Sequence, residues 1–232
     1  MTSWKLFYNS FIVGEGYKNV LLGLRSTVII AICGLVLGII IGTLIAISKV
    51  VPSKKPFFRI WSGMSDVYVW LFRGTPMVVQ LLIVYYVLLP LIGVRVDAII
   101  VACVTFGLNS GAYVSEIMRG GILSVDRGQM EAGRSLGMSY TNTMFSVVIP
   151  QSIKNIMPTL GNEFITLIKE TSVVSFIAVV DLTLAFKQIG NSNYEYIIPY
   201  CMLALVYLAL VSIITVIVKA LERRMRKSDR NN

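Results

Sequence analysis

The sequence predicts an all-α, polytopic membrane protein with five transmembrane helices. Composition is the first reason: of 232 residues, 56% are hydrophobic and only 14% are charged, and the mean hydropathy is +0.75. A soluble domain of this length would expose far more charge. The second reason is that several apolar runs reach the roughly 20 residues that a helix needs to cross a bilayer. We expect a single transmembrane domain over 1–232, with spans at about 20–48, 60–89, 97–118, 155–178 and 195–218.

The first span contains a regular series of glycines. The N-terminus lacks the pattern of a cleavable signal, because it is polar for about 19 residues and the apolar run after it is too long. We therefore expect this span to remain in the mature protein. Within it, Gly34, Gly38 and Gly42 are four residues apart. Two overlapping G-x-x-x-G patterns indicate a flat helix face for close contact with another helix, and ordinary glycine abundance in membrane helices is the alternative.

Lysine and arginine residues in the segments between spans predict the orientation of the chain, because cytoplasmic segments carry an excess of them. One side carries 14 of these residues and the other side carries five, while Arg73 and Lys169 lie inside spans. The 14 are Lys49, Lys54, Lys55, Arg59, Arg119, Arg127, Arg134, Lys154, Lys219, Arg223, Arg224, Arg226, Lys227 and Arg230. We therefore expect the N-terminus outside and the C-terminus in the cytoplasm.

The second span places a charge and a helix-disturbing tripeptide at a depth where water is absent. Arg73 lies well inside the apolar stretch and is followed by Gly-Thr-Pro at 74–76. Proline lacks a backbone N–H, and glycine lets the backbone bend or a ligand approach. Asp66, Arg73 and Gln80 are seven residues apart, which on one continuous helix places them on nearly one face. Broken helices at mid-membrane often bind polar substrates, and a plain proline kink is the alternative.

Polar residues also recur at helical spacing in the third and fourth spans. The third carries Thr105, Asn109, Tyr113 and Glu116, and the fourth carries Thr159, Glu163, Thr166 and Glu170, with Asn162 and Lys169 beside them. A charge at mid-membrane costs several kcal/mol unless it meets a partner or water. Three aligned polar faces therefore favour a water-accessible transport path over a purely structural polar network. The candidate lining residues are Arg73, Thr75, Gln80, Asn109, Tyr113, Glu116, Asn162 and Glu163.

Several classes of function are disfavoured by what the sequence lacks. It has no histidine, and its three cysteines, Cys33, Cys103 and Cys201, lie in separate apolar segments without metal-ligand spacing. It shows no nucleophile–base pair and no G-x-x-x-x-G-K-[ST] motif. We therefore expect no catalytic residue, no metal site and no ATP binding by this chain. The net charge of +9 flanks the spans rather than forming one patch, which argues against nucleic acid.

The segment between the third and fourth spans, 119–154, is too long for a tight connection and has helical character at its centre. Its stretch EAGRSLGMSYTNTMFSVVIP resembles the EAA loop of ABC-importer permeases, whose pattern is E-A-A, three residues, G, nine residues and I-x-L-P. The matching positions are Glu131, Ala132, Gly133, Gly137, Val147, Ile149 and Pro150. Gly133 departs from the usual alanine, and Val147 and Ile149 are apolar replacements, while the spacing is intact.

Three further stretches, FRGTPMVVQ, NSGAYVSEIMRGGI and GNEFITLIKETSVVS, are similar to the histidine, glutamine, glutamate, arginine and opine branch of these permeases. The resemblance runs from about residue 17 to 220. It implies a type I importer permease in the bacterial cytoplasmic membrane, in contact with membrane lipid and paired with a second permease subunit, identical or homologous. Many members of this branch carry an acidic residue where this chain has Trp70, a departure that bears on packing or selectivity beside Arg73.

The same resemblance implies a division of labour among subunits. Two copies of a separate ATP-binding subunit would receive the EAA helix through Glu131, Ala132, Gly133, Gly137 and Pro150. An extracytoplasmic binding protein would deliver the amino acid. This chain would then hold no cofactor, because its partner binds the ATP.

The sequence therefore predicts the transmembrane permease subunit of an ATP-driven importer for a polar amino acid. Two alternatives remain open. A secondary transporter or channel driven by an ion gradient would use the same intramembrane charges but would need no EAA-like loop, and its uptake would persist after ATP depletion. A membrane scaffold or assembly factor would lose only assembly when Arg73 or Glu163 is changed.

Overall fold

The structure, a computed structural model, describes residues 2–50 and 56–228, and every regular element in this part of the chain is helical. The all-α prediction is confirmed. Of the basic residues that predict the orientation, Lys54, Lys55 and Arg230 lie outside the described residues. The α-helices are α1 (Ser3–Tyr8), α2 (Gly16–Val50), α3 (Pro56–Gly74), α4 (Met77–Ile83), α5 (Leu89–Leu91), α6 (Ala98–Leu123), α7 (Arg127–Ser135), α8 (Tyr140–Thr143), α9 (Ile149–Glu170), α10 (Leu182–Asn193) and α11 (Ile197–Ser228).

Several of these helices continue in tighter or wider turns. π-Helical segments follow α1 (Asn9–Val13), α4 (Val84–Leu88) and α8 (Met144–Val148), and a 3-10 segment follows α9 (Thr171–Ile177). The second and third π-helical segments each end two residues before a proline, Pro90 or Pro150. Proline removes one i to i−4 hydrogen bond, and a π-helical turn pairs the backbone in a different register at that point.

Three helices are long and apolar enough to cross a membrane by themselves: α2, α6 and the part Ile197–Met225 of α11. Two further stretches pass the same test as bent pairs. Phe57–Gly74 meets Met77–Leu91 at 107°, and Tyr140–Ile177 meets α10 at 52°. The described part of the chain thus holds up to five spans, the number that the sequence predicts, when each bent pair is counted as one.

α2 and α6 form the centre of the fold, and glycines set how closely they approach. Gly34, Gly38 and Gly42 lie buried along α2 where it meets α6. A Cβ atom at Gly38 would stand 2.6 Å from the Ser110 hydroxyl oxygen, and one at Gly42 would stand 2.7 Å from the Ser115 backbone nitrogen. Small residues are what permits such close contact between membrane helices. The predicted glycine face is confirmed.

The apolar core lies where these two helices meet α4, α9 and the 3-10 segment. Its buried members include Ile30, Ala31, Leu81, Ala102, Phe106, Leu167, Ile168, Val174 and Ile177. By contrast, only 6% of the spanning window of α11 is buried. A helix that is apolar and yet uncovered by its own chain suits contact with lipid or with another subunit.

Some helices differ from the sequence prediction. The chain from Tyr140 to Ile177 is helical throughout, so the segment 119–154 holds irregular structure only on either side of α7. α1 and α10 were not predicted. α10 begins at the buried Asp181, whose carboxylate accepts hydrogen bonds from the backbone N–H groups of Thr183 (3.0 Å) and Leu184 (2.9 Å). An aspartate at this position stabilises the first turn of a helix, and it is the signal by which the sequence could have revealed α10.

Candidate functional site

A cavity of about 920 Å³ lies between α6 and α9. Arg73, at the end of α3, lies at one end of it, and Ser124 and Lys154, on either side of α7 in the sequence, line the other. Tyr113, Glu116 and Thr159 are among the remaining lining residues. The stretch of α6 from Tyr113 to Leu123 corresponds to about 15 Å of helix. The cavity therefore joins the break in the second predicted span to the neighbourhood of α7.

Arg73 is held at the cavity by an aromatic ring. Its guanidinium carbon lies 5.3 Å from the centroid of the Tyr113 ring, within the range of a cation–π contact. The ion pairs among the described residues do not include Arg73. The guanidinium is thus positioned by a contact that leaves its N–H donors available for a ligand.

The helix break after Arg73 is bound by two buried amides. Pro76 has no N–H to offer the carbonyl oxygen of Phe72, four residues earlier. The Gln80 side-chain amide donates to that oxygen at 2.8 Å, and also to the Thr75 carbonyl (3.0 Å) and hydroxyl (2.8 Å) oxygens. Asn109, on α6, donates to the Gln80 amide oxygen at 2.9 Å and approaches the Phe72 oxygen at 3.4 Å. Irregular backbone at membrane depth needs such partners.

The prediction that Asp66, Arg73 and Gln80 share one helix face is wrong, because it assumed a continuous helix. The 107° bend places Gln80 on α4 and the other two residues on α3. Gln80 and Asn109 are 9% and 4% exposed, and both direct their amides at the break rather than into the cavity. The Thr75 hydroxyl is likewise engaged, since it donates to the Leu71 carbonyl oxygen at 2.8 Å.

Four charges form a network that ties α2, α3 and α6 together. The Lys49 ammonium lies 3.0 Å from an Asp66 carboxylate oxygen and 3.3 Å from one of Glu116. The second Glu116 oxygen accepts from Arg119 at 3.0 Å. The Lys49 side chain is only 12% exposed, so removing either carboxylate leaves a nearly buried charge less well compensated. Glu116 lines the cavity, but its charge is already balanced by these two cations.

Glu163 is oriented from the α6 side. The Ser110 hydroxyl, which is fully buried, donates a 2.8 Å hydrogen bond to the carboxylate of the half-buried Glu163. Its neighbour Asn162 is exposed, as are Thr166 and Lys169 further along α9. In the described part of the chain Glu163 makes no ion pair with Arg73. The polar side of α9 is thus exposed along the helix, and Glu163 is held by Ser110 where this side meets α6.

The predicted lining residues therefore fall into three groups. Arg73, Tyr113 and Glu116 line one cavity, Thr75, Gln80 and Asn109 bind the helix break, and Asn162 and Glu163 lie on the open side of α9. Sequence reasoning missed Lys49 and Ser110. Ser110 directly follows Asn109 in the polar third span, but its small hydroxyl gave no charge signal. Lys49 was counted only as a loop cation, and its burial between two carboxylates depends on the packing of three helices.

α7 is a well-terminated helix in the segment 119–154. At its start the Asp126 carboxylate accepts from the Gly128 N–H at 2.7 Å. At its end Gly137 has φ +83°, and the N–H groups of Gly137 and Met138 bond to the carbonyl oxygens of Arg134 (3.0 Å) and Gly133 (3.1 Å). This is the Schellman arrangement, which favours glycine because other L-residues are strained at positive φ.

Gly133 is the point where α7 touches α8. A Cβ atom at this residue would lie 2.5 Å from the methyl carbon of the fully buried Thr143. The Thr143 side chain thus fills the space that an alanine methyl would need, which is a physical reason for glycine where the EAA pattern has alanine. Pro150 is the second residue of α9 and directly follows the π-helical segment, in which the backbone pairs in a different register.

The outward side of this region carries both charge and apolar surface. Glu131 and Ala132 are exposed on α7. Leu136, just after it, is 84% exposed, and Phe145, in the π-helical segment after α8, is 66% exposed. Large apolar side chains left open beside a charged helix suit the docking of another protein.

Comparison with known proteins identifies the type of protein to which this arrangement belongs. Residues 34–227 match the model of the binding-protein-dependent transport system inner membrane component family. The chain belongs to this family. The predicted resemblance to ABC-importer permeases is confirmed.

Relatives of this inner membrane component align along nearly their whole length. The arginine transport system permease protein ArtQ of Bacillus subtilis (strain 168) is 41% identical over 210 residues, which are 90% of this chain and 94% of that protein. A putative glutamine transport system permease protein GlnP of Rickettsia bellii (strain RML369-C) is 36% identical, with 88% and 91% covered. The L-cystine transport system permease protein TcyB of Bacillus subtilis (strain 168) is 37% identical, with 88% and 85% covered.

Solved structures agree with this assignment. A chain of an amino acid ABC transporter crystallised with histidines superposes with a TM-score of 0.82 at 38% identity, covering 91% of this chain and 96% of that one. The permease fold also matches the MetNI methionine ABC transporter in an inward-facing conformation, with a TM-score of 0.67 at 18% identity and coverage of 90% and 95%. The chain is therefore a multi-pass inner-membrane permease subunit of an ABC importer, in which a separate subunit hydrolyses ATP.

Proposed function

We propose that this permease imports a polar amino acid in its zwitterionic form, and that the cavity from Arg73 to the α7 region is the inner part of the path. The observation that carries the proposal is this cavity, because it connects an available guanidinium at the helix break with the segment that would contact the ATPase. The relatives named for arginine, glutamine and L-cystine support the substrate class. All three amino acids carry an α-carboxylate and an α-ammonium group.

Two charged residues can bind those two groups: Arg73 lines the cavity, and Glu163 lies about one helical turn beyond Thr159, the last residue of α9 that lines it. The Arg73 guanidinium can bind a carboxylate through two parallel hydrogen bonds, and the Tyr113 ring holds it at the cavity. The Glu163 carboxylate can accept from an ammonium group, and the bond from Ser110 fixes its orientation. Asn162 adds an uncharged donor and acceptor on the same open side of α9.

Coupling to ATP hydrolysis would run through α7. Glu131 and Ala132 supply an exposed contact, while Gly133, Gly137 and Pro150 shape the turns that hold α7 against α8 and α9. The distribution of lysine and arginine supports a cytoplasmic position for this region and an external position for the N-terminus. A secreted binding protein would then deliver the substrate at the opposite face.

The test combines stability and uptake for Arg73→Gln, Glu163→Gln and the double variant, each reconstituted with the ATPase and binding protein. If both residues hold substrate, we expect all three variants to stay folded and to lose most of their uptake. Removing a hydrogen-bonded contact to a charged group typically costs about 2–4 kcal/mol of binding free energy, which corresponds to a loss of roughly 30- to 1000-fold in affinity or rate. Lys18→Gln serves as the matched control, because Lys18 is an exposed cation that pairs with Glu15 away from the cavity.

The outcomes separate transport from structure. If Arg73 and Glu163 serve only to stabilise the fold, the single variants would lower the unfolding midpoint and residual uptake would follow the folded fraction. Full uptake by a well-folded double variant would refute the assigned roles. Uptake that persists after ATP depletion would instead support a gradient-driven transporter.

A further inference from the structure

The N-terminal segment 3–13, made of α1 and the π-helical segment after it, is fastened to the rest of the chain. Phe7 is 6% exposed and packs with Phe186 and Ile189 of α10. The Asn193 side-chain amide, at the end of α10, donates to the Leu6 carbonyl oxygen at 3.2 Å and to the Ser10 hydroxyl. The segment is therefore a fixed element of the fold, and its exposed side has a defined direction.

That exposed side carries an aromatic ridge. Trp4 (59% exposed), Tyr8 (54%) and Ile12 (44%) follow one another at spacings of four residues, so they lie along one side of the segment. Lys5 and Asn9, also exposed, come next around the helix at about 100° from Trp4 and Tyr8. The segment thus has three sides: one packed on the protein, one aromatic and one polar.

The position of the segment shows what meets the aromatic ridge. The cluster around Phe7 includes Val20 from the start of α2 and Met202 and Val206 from the first turns of α11. Those two helices are candidate spans, and next to these contacts they carry apolar side chains that are exposed on the surface of the chain. The exposed ones include Leu21 (60%), Leu22 (52%), Leu205 (57%) and Leu208 (63%). The ridge therefore continues the exposed apolar surface of these two candidate spans, near their ends.

Side-chain chemistry favours the lipid–water boundary over either bulk phase. Tryptophan and tyrosine have a large apolar ring and one polar group, and they concentrate at the two interfaces of a bilayer. A ridge of this kind in water would leave a tryptophan and a tyrosine largely unburied. In the hydrocarbon centre, Lys5 and Asn9 beside it would lose their hydration. Only the boundary satisfies both sides of the segment.

We infer that residues 3–13 form an interfacial anchor: Trp4, Tyr8 and Ile12 insert among the headgroups and upper acyl chains of the outer leaflet, and Lys5 and Asn9 face water. The partner is the phospholipid bilayer. The assignment to the outer leaflet rests on the orientation given under the proposed function. The anchor fixes α10 and the start of α11 at a defined depth through Phe7 and Asn193.

The test uses the tryptophans of the chain, which are three in number. In full-length protein carrying Trp61→Phe and Trp70→Phe, Trp4 is the remaining one. The protein is reconstituted in phosphatidylcholine vesicles whose acyl chains carry bromine either near the headgroup or near the terminal methyl. Because bromine quenches tryptophan emission only at short range, we expect a larger loss of emission with bromine near the headgroup. The emission maximum should also lie at shorter wavelength than that of tryptophan in water.

A matched control places the reporter on the polar side of the same segment. In a background with Trp4→Phe, Trp61→Phe and Trp70→Phe, Asn9→Trp should be quenched by aqueous iodide and little affected by bromine. Tyr8→Trp in that background should reproduce the behaviour of Trp4, which guards against a local disturbance at one site. Equal access of iodide to positions 4 and 9, or stronger quenching of Trp4 by bromine near the terminal methyl, would overturn the inference.

The leaflet is determined in right-side-out membrane vesicles. Iodide added outside should quench Asn9→Trp, and quenching only from the inside would overturn the outer-leaflet assignment. Amino-acid uptake by the unmodified protein is measured in parallel. Its absence would contradict the proposed function while leaving the bromine result, and with it the lipid contact, in place.

Discussion

Replacing Gln80 by methionine should destabilise the fold strongly, because one side chain serves the whole helix break. Methionine has nearly the same length but no hydrogen-bonding amide. The change removes the bonds to Phe72 and Thr75 oxygens and the acceptor of Asn109. Each net hydrogen bond contributes about 1 kcal/mol, and a buried polar group left unpaired costs about 1–3 kcal/mol. We expect a loss of about 3 kcal/mol in the free energy of unfolding, since partial relaxation offsets part of the sum.

The assay is equilibrium unfolding in mixed detergent micelles, with Gln188→Met as the matched control. Gln188 is also a helical glutamine, but it is exposed and makes one long contact of 3.4 Å to Asn19. Its replacement should change stability by less than about 0.5 kcal/mol. A cycle with Asn109→Leu should show a coupling energy of about 1 kcal/mol, because the two amides share a bond. Equal effects of Gln80→Met and Gln188→Met would refute the role assigned to the buried amides.

Two further predictions concern glycines. Gly42→Ala should lower the free energy of unfolding by about 2 kcal/mol, because the new Cβ would meet backbone atoms that cannot rotate away. Gly63→Ala has open space around the new Cβ and should be neutral or slightly stabilising. Similar unfolding midpoints for the two variants would contradict the role of Gly42 in helix packing. Gly137→Ala should strain the end of α7 by about 1 kcal/mol and lower the uptake obtained per ATP hydrolysed. Gly63→Ala, whose new Cβ also meets nothing within 4 Å and which does not line the cavity, is its control, and unchanged coupling in Gly137→Ala would argue against α7 as the docking helix.

The local sequence pattern was enough to predict the long helices. Apolar length identified α2, α6 and α11, and glycine spacing identified the face of α2 that packs on α6. The break at 74–76 was also visible, because proline and glycine act on the backbone wherever they stand. These features depend on residues that are close in sequence, so they can be predicted without knowledge of the tertiary contacts.

The polar residues were harder to interpret, because periodicity says which residues share a face but not what that face meets. Asn109 and Tyr113 lie on one stripe of α6, yet Asn109 meets a backbone break and Tyr113 meets a guanidinium. α1 was not predicted because its apolar residues lie on two sides of the helix, one packed on the protein and one exposed. They therefore do not form the single apolar stripe of a simple amphipathic helix.

The absence of a side chain at Gly38 affects two contacts of Ser110 on α6. The first is the contact with α2, because a Cβ atom at Gly38 would lie 2.6 Å from the Ser110 hydroxyl oxygen. The second is the hydrogen bond that the same hydroxyl donates to the carboxylate of Glu163. A single methyl group added to α2 would therefore press on Ser110 and shift the direction in which Glu163 points, although α2 contributes nothing to the lining of the cavity. Substitutions that alter which amino acid is carried should accordingly be found along this line of contact as well as at the path itself.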